Sequence, residues 1–442
     1  MNATTIRFGV AVATLIGTSG LVEANTETAV PTRLGLRQAI DLFRANGLDL
    51  LLAQNAIETA RGDVVIAGAN PNPSLSLGYG AYSFYFRCTN PSGCARPPSA
   101  LSITVSDQNA IEDSLSGKRR LRVHVADASL RAAHFDRDDV DRTLVFQVKA
   151  QFEQVVLAQA ALRFAKETAV ANAQMLEKAE KQREADKIQR PDLLRVRVAK
   201  LESDQAADQA LLGLRKARAE LAFLLGVRTS IPDFVVEEPQ LEHYALPPRL
   251  GALDHDALLA SAFASRPDLR SQEALTAGTE AQLALSKRQR FPDVALSVGY
   301  SQQGTSDTAA SPPTFSIGLS APIPILYQQQ GEIRKAEAAL RGQRLQVDKL
   351  KATIVRDFES AYADFLSSQM LVRRMEEGAL LESATQAKDD VKLLYEKGGA
   401  QLIDYLLAQS TYISTNVEYL NDVSNYWTAV FELEQAIGKE LR

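Results

Sequence analysis

Four short stretches of the chain alternate between apolar and small polar residues. In the second stretch, Leu, Ile and Val at 101, 103 and 105 alternate with Ser and Thr. Because successive side chains of a β-strand point to opposite faces, this period of two predicts a strand with one apolar and one polar face. The same argument predicts four strands, at about 74–87, 100–107, 293–303 and 314–322.

The two faces of these predicted strands differ in kind. The apolar faces carry aromatic side chains such as Tyr79, Tyr300 and Phe315, whereas the opposite faces carry Ser, Thr, Gly and Ala. Each stretch is about long enough to cross a bilayer as a tilted strand. The pattern suits a barrel wall with lipid outside and water inside. A pair of half-buried hairpins in a soluble sheet is the alternative.

Long helices follow the strands. No Gly or Pro occurs from Lys118 to Arg190, and a helix of that length would extend on the order of 100 Å. In the last helix, Leu406, Ile413 and Leu420 recur every seventh residue, as in a coiled-coil seam. The helices are predicted at about 112–190, 192–226, 331–397 and 401–438.

The chain is internally duplicated. Pro71 aligns with Pro292 and Gly78 with Gly299 at an offset of 292 − 71 = 221. A repeat of this length indicates two similar halves related by pseudo-symmetry. We expect a first repeat at 25–227 and a second repeat at 228–442.

Four strands are too few to close a barrel with an open lumen, and lipid does not tolerate an open sheet edge. The strands of several copies must therefore be combined, and three copies would supply about 12 strands. We predict a mostly α fold with a small β part. Duplicated helical hairpins would form a trimeric α-barrel, and four strands per chain would contribute to a 12-stranded transmembrane β-barrel.

The first residues resemble a secretory signal. Arg7 precedes an apolar run from Phe8 to Val22, and small residues near Ala24 suit cleavage there. We expect residues 1–24 to be removed and the mature chain to begin at Asn25. A membrane anchor is the alternative, but the run is short and contains Gly and Thr.

Composition excludes several classes of function. The formal net charge of −5 over 442 residues, without a basic run, does not suit nucleic acid. The four His residues are scattered, and no phosphate-binding loop or nucleophile elbow is present. We predict no enzyme activity, no cofactor and no metal site.

Two cysteines, Cys88 and Cys94, lie in the loop between the first two predicted strands. In an exported protein this spacing favours a disulfide that fixes the loop. A metal site is the other possibility, but two thiolates are too few ligands and no His is nearby.

Asp192 and Asp404 occupy matching positions at the two turns between helices. Each can satisfy backbone N–H groups and the dipole at a helix N-terminus. Repeated by symmetry, the same carboxylates could surround the inner aperture of a tube and favour cations. The two roles are compatible.

Several duplicated motifs resemble those of the TolC-type outer-membrane efflux proteins, over essentially the whole mature chain. They are Arg266–Arg270, Phe291–Val294, Pro322–Ile325, Gly331–Ile333, Asp404–Gln409 and the paired Glu-Leu…Gly endings. The resemblance implies a homotrimer in outer-membrane lipid with a long periplasmic part. It also implies docking to a periplasmic adaptor (membrane fusion protein) and an inner-membrane pump of the resistance-nodulation-division type.

Within that family, the segment from Pro322 to Ile333 resembles the branch that serves heavy-metal cation exporters. The first half departs from the pattern, because residues 115–119 lack the proline-rich strand exit, and Leu407 stands where some members carry a second acidic residue. The resemblance implies a passive exit duct for metal cations or small toxic compounds. An exported, soluble coiled-coil scaffold is the alternative function.

Overall fold

The structure is a computed structural model that describes residues 30–80, 100–186, 188–238, 241, 243–247, 250, 254–303 and 312–441. The proposed signal at 1–24 lies outside these residues. The described elements, in chain order, are β1 Arg33–Leu34, α1 Leu36–Asn46, α2 Leu48–Gly68, β2 Ser74–Gly80, β3 Ala100–Ser106, α3 Ala110–Ser116, α4 Lys118–Glu184, α5 Arg190–Leu224, β4 Val235–Val236, α6 His255–Ser265, α7 Pro267–Arg288, β5 Ala295–Gln303, β6 Thr314–Ser320, α8 Gln330–Glu377, α9 Leu380–Glu396 and α10 Leu402–Ile437.

The four predicted strands form one antiparallel sheet in the order β2-β3-β5-β6. The register places Ser74, Ser106, Ser297 and Gly318 in a single row across the sheet. The third strand begins at Ala295, two residues later than predicted, and Asp293 just before it accepts a hydrogen bond from the Lys118 ammonium. The part of the first predicted strand beyond Gly80 lies outside the described residues.

The helix predicted over 112–190 is interrupted near its start. Gly117 has a φ of 78°, a left-handed conformation that glycine adopts without a steric penalty, and it separates α3 from α4. From Lys118, α4 continues for 67 residues to Glu184, which corresponds to about 100 Å. A short turn then leads to α5, whose first turn contains Pro191.

The second hairpin differs from the prediction in a similar way. The helix predicted over 331–397 is divided into α8 and α9, because Ala379 adopts a left-handed φ of 45°. The last helix, predicted over 401–438, is α10 at Leu402–Ile437 and ends at Gly438, whose φ is 79°. Both repeats therefore contain a long helix and a return helix, but only the second long helix is broken midway.

The main apolar core lies where the short elements pack around the middle of the long helices. Phe152 of α4 and Phe431 of α10 are fully buried there, together with Phe43 of α1. The predicted heptad positions Leu406, Ile413 and Leu420 are only partly covered, whereas Val423, Val430 and Ile437, further along α10, are buried. The core therefore fixes the position of α4 against α10 and leaves their far ends less constrained.

Closer to the sheet, the helices lie side by side. The helix α4 packs against α2 on one side and α7 on the other, and α7 packs against α8. Within the described part of the chain, none of the helices combines the length and the apolar character needed to cross a membrane.

Candidate channel wall and aperture

One face of the sheet consists mainly of small polar residues and glycine, with Ala100 and Ala295 towards its ends. Its three central rows are Gly78-Ser102-Ser301-Thr314, Ser76-Thr104-Gly299-Ser316 and Ser74-Ser106-Ser297-Gly318. These rows pack closely, because a Cβ atom placed on Gly299 would lie 2.6 Å from the Ser316 Oγ. This face is hydrophilic, but it carries no charge.

The opposite face is apolar. One row consists of Leu75, Val105, Val298 and Ile317, and the next contains Leu77, Ile103, Tyr300 and Phe315. The rings of Tyr300 and Phe315 are in contact, with their centroids 5.2 Å apart. The side chains of this face on the two edge strands are largely exposed in a single chain. The exposed fraction reaches 80% for Ile317. A sheet with one polar and one apolar face is suited to form a wall between water and lipid.

A buried lysine joins this wall to the helices. The Lys118 ammonium at the start of α4 donates hydrogen bonds to Glu112 (3.1 Å), to Asp293 (2.5 Å) and to the carbonyl of Phe291 (2.8 Å). Its side chain is almost completely buried. Two carboxylates compensate the buried charge, and the contacts fix the approach to β5. Sequence patterns did not identify this residue, because its partners lie 6 and about 175 positions away.

A second polar cluster explains the motif at Arg266–Arg270. The Arg266 guanidinium is buried and donates to Asp268 (2.6 Å) and to Asp357 of α8 (3.3 Å). Asp268 also accepts the backbone N–H of Leu269 at 2.9 Å. Burial opposes ionisation of Asp268, but the hydrogen bonds from Arg266 outweigh it and lower its pKa. The motif therefore starts α7 and attaches it to α8.

The two predicted aperture residues both lie in the first turn of a return helix. Asp404 accepts the backbone N–H of Gln401 at 3.0 Å, as part of a capping box at the start of α10. Asp192 accepts a hydrogen bond from the Arg195 side chain at 3.2 Å. The helix start is closely matched in the two repeats, since Gln189 and Gln401 are the N-cap residues and have nearly equal backbone angles.

A small apolar cluster brings the ends of the two hairpins together. It contains Ala179, Val196 and Leu402, with Leu193 and Leu406 packed around it. Asp192 and Asp404 are thus held near the same end of the molecule by neighbouring residues. The predicted loop cysteines Cys88 and Cys94 lie outside the described residues.

A buried polar link that the sequence did not predict lies near this end of the molecule. The Gln409 amide donates to the Asn172 side chain at 2.6 Å, and Asn172 donates to the carbonyl of Ala199 at 3.2 Å. The link connects α10, α4 and α5, and both side chains are buried. Buried polar pairs of this kind define the alignment of packed helices. The only available signal was two amide residues on otherwise apolar helix faces.

Across the described ranges, no group of three or more His, Cys, Asp or Glu residues is arranged to hold a metal ion.

Comparison with known proteins places both repeats in one family. The family model described as outer membrane efflux protein matches residues 39–227 and 258–439. The chain is 25% identical to the cobalt-zinc-cadmium resistance protein CzcC of Cupriavidus metallidurans over 435 residues, which cover 96% of this chain and 94% of that protein. It is 24% identical to the protein CyaE of Bordetella pertussis over 413 residues, covering 92% and 84% of the two chains.

The fold is similar to that of a solved outer-membrane channel. The CmeC outer membrane channel of Campylobacter jejuni superposes with a TM-score of 0.74 at 15% identity, covering 99% of this chain and 93% of that one. The mostly helical fold with one four-stranded sheet is therefore that of the efflux channels, as predicted. The family consists of channels rather than enzymes, and its members combine an outer-membrane part with a long periplasmic helical part. The chain belongs to the TolC-type outer membrane efflux protein family.

Proposed function

We propose that three copies of this chain form the passive exit duct of a tripartite efflux system that exports heavy-metal cations or small toxic compounds. The duct would receive its substrate from a periplasmic adaptor and an inner-membrane pump of the resistance-nodulation-division type. The observation that carries this proposal is the four-stranded sheet with one face made mainly of small polar residues and glycine and one apolar face.

The order of the elements supports a closed ring of copies. The strands run β2-β3-β5-β6, and the helices that precede or follow them run α2-α4-α7-α8. Both layers therefore end at the same two edges, one formed by β2 and α2 and the other by β6 and α8. Different edges joined head to tail give a heterologous contact, which produces a ring if the rotation closes. Three copies would supply about 12 strands, enough for a lumen.

The lining chemistry supports passive conduction. A lining of Ser, Thr and Gly residues carries no charge that would bind a substrate tightly. Selection among substrates would therefore depend on the width and charge of the pore. We assign the charge at the periplasmic aperture to Asp404 and Asp192, repeated in each copy. Asp404 keeps an exposed side chain while it caps α10, so the two roles do not exclude each other.

Two observations favour heavy-metal cations as the substrate. One is the similarity to CzcC, whose name states cobalt, zinc and cadmium resistance. The other is the Pro322–Ile333 segment, which resembles the heavy-metal branch of the family. The alternative of a soluble scaffold is set aside, because the outer membrane efflux model matches both repeats.

A deletion strain tests the substrate. We expect greater sensitivity to zinc, cobalt and cadmium and unchanged sensitivity to dyes, with recovery when the wild-type chain is restored. Sensitivity to dyes alone would contradict the metal assignment.

Bilayer recordings test the duct and its aperture. The purified protein should behave as a trimer in native mass spectrometry and conduct ions in planar bilayers. Asp404→Asn should reduce cation selectivity and block by divalent ions, whereas Asp390→Asn, an exposed carboxylate of α9, serves as the matched control. Unchanged currents in Asp404→Asn would leave only the capping role.

A further inference from the structure

We propose that an apolar collar beneath the strands is immersed in the periplasmic leaflet of the outer membrane. The collar consists of Ile111 and Leu115 of α3 and of Ile323, Ile325 and Leu326, which follow β6. Two arginines beside it, Arg288 and Arg290, reach the phosphate headgroups. The inference rests on the proposed function, because it requires the sheet to cross the membrane.

Apolar residues continue along the chain after β6 ends. Phe315, Ile317 and Leu319 lie on the apolar face of the strand, and the segment after Ser320 adds Ile323, Ile325 and Leu326. Every residue from Ala321 to Gln328 is exposed, with Ile323 at 78%, Ile325 at 77% and Leu326 at 97%. An apolar surface of this kind marks a contact with lipid or with a partner.

Two prolines reduce the number of backbone hydrogen-bond donors in this segment. Pro322 and Pro324 have no N–H group, so two donors that would need a partner are missing. The N–H of Ile325 donates to the carbonyl of Ile323 at 2.9 Å. Each missing or paired donor lowers the cost of placing the segment in an apolar environment, where unpaired donors are costly.

The collar extends sideways to α3. Ile111, Leu115 and Leu319 line a mainly apolar groove with a volume of about 450 Å³. Leu115 is 82% exposed although it belongs to a helix. The groove thereby connects the last apolar residue of β6 to the exposed apolar residues of α3.

Basic side chains stand at the edge of the collar. The Arg288 guanidinium lies 4.9 Å from the centroid of the Phe291 ring and donates to the carbonyl of Ser116 at 2.7 Å. Arg290 donates to Gln328 at 3.4 Å, which ties it to the segment after β6. Arginine and aromatic side chains beside an apolar surface are typical of the membrane interface, where the cation meets phosphate groups.

Lipid fits this surface better than a second copy. A neighbouring copy would pair with β6 through its backbone edge, within the plane of the sheet. Leu319, which lines the groove together with Ile111 and Leu115, instead belongs to the apolar face of the sheet, and that face would be the outer face of a barrel.

Spin labels can test the collar in the full-length protein. Single labels are placed at Leu326, at Ile317 on the strand and at Leu246, an exposed residue far from the sheet, after both native cysteines are changed to serine. In phospholipid vesicles we expect labels at 326 and 317 to collide preferentially with oxygen, and the label at 246 with a water-soluble nickel chelate.

The outcomes separate the collar from the duct. Preference for nickel at 326, with oxygen preferred at 317, would overturn the collar and leave the duct intact. Protection of 326 from both reagents would mean that another copy covers it, and would also overturn the collar. Preference for nickel at 317 would contradict the proposed function itself.

A charge substitution provides an independent test. Leu326→Asp should reduce the fraction of protein that inserts into phospholipid vesicles several-fold, whereas the matched control Leu246→Asp should insert normally. The helical circular dichroism of both variants confirms folding, and the conductance of each inserted Leu326→Asp oligomer should match that of the wild type. Wild-type insertion of Leu326→Asp would overturn the proposal.

Discussion

Lys149 provides the most direct test of how the two repeats are held together. Its ammonium donates to Glu434 at 2.7 Å and to Glu440 at 3.3 Å, and so joins α4 to the end of α10. The side chains of Lys149 and Glu434 are only 7% and 5% exposed. Glu434 also accepts the backbone N–H of Leu441 at 2.9 Å, so its position is fixed from two sides.

We predict that Lys149→Met destabilises the protein by about 3 kcal/mol, because removing one member of a buried pair leaves an uncompensated charge. The ion pair with Glu440 adds little, since the Glu440 side chain is 65% exposed. Replacing both partners, as in Lys149→Met with Glu434→Leu, should cost less than the sum of the two single changes, because neither charge is then left alone.

The measurement is guanidinium unfolding of the detergent-solubilised protein at a fixed protein concentration, followed by far-ultraviolet circular dichroism. Lys178→Met is the matched control. It removes a lysine of the same helix whose pair with Glu396 is exposed, and it should change stability by less than about 0.5 kcal/mol. A wild-type midpoint for Lys149→Met, or strictly additive costs in the double variant, would refute the reasoning.

Three further predictions concern the core, the sheet and a histidine. Phe152→Ala should cost about 3–5 kcal/mol in the same unfolding assay, because the ring is fully buried between α4 and its neighbours; a cost below about 1 kcal/mol would contradict this packing. Gly299→Val should prevent assembly of conducting oligomers, since even a Cβ atom there meets Ser316, whereas Gly80→Val, with open space around it, should be tolerated. The pKa of His255 is raised by hydrogen bonds from its ring to Asp256 and Glu359, so its stabilising effect is complete below its ordinary pKa near 6.5 and is lost as the pH rises through the higher value of the folded state. The difference in melting temperature between wild type and His255→Gln should therefore shrink from pH 6 to pH 9, and a constant difference would refute this.

The sequence predicted the sheet well, because each strand has one apolar face and one polar face. Alternation with a period of two reflects this difference directly. Long helices were equally clear from the absence of Gly and Pro over dozens of residues. The repeat then predicted that both halves share one architecture. The strands, the long helices and the repeat can all be recognised from the order of residues along the chain, without knowledge of contacts between distant residues.

Features that depend on distant residues were not predicted. Lys149 and Glu434 are separated by 285 positions, and neither belongs to a recognisable motif. The sequence did not predict the break between α8 and α9 at Ala379. Alanine favours helices and gives no sign of a left-handed conformation. At the candidate aperture, the repeat predicts Asp192 and Asp404, and their aperture role stays a prediction; the sequence did not reveal the Asn172–Gln409 link near them.

The interruption at Gly378 and Ala379 makes the two hairpins mechanically unequal. In the first repeat α4 is an unbroken strut of 67 residues, whereas in the second repeat a joint separates α8 from the 17 residues of α9. A segment of that length is a lever of about 25 Å. Tilting it by roughly 10° at the joint would carry its tip sideways by about 4 Å, which is close to the 5.4 Å rise of one helical turn. Bending would therefore be concentrated between α8 and α9 of each chain, whereas α4 would stay straight.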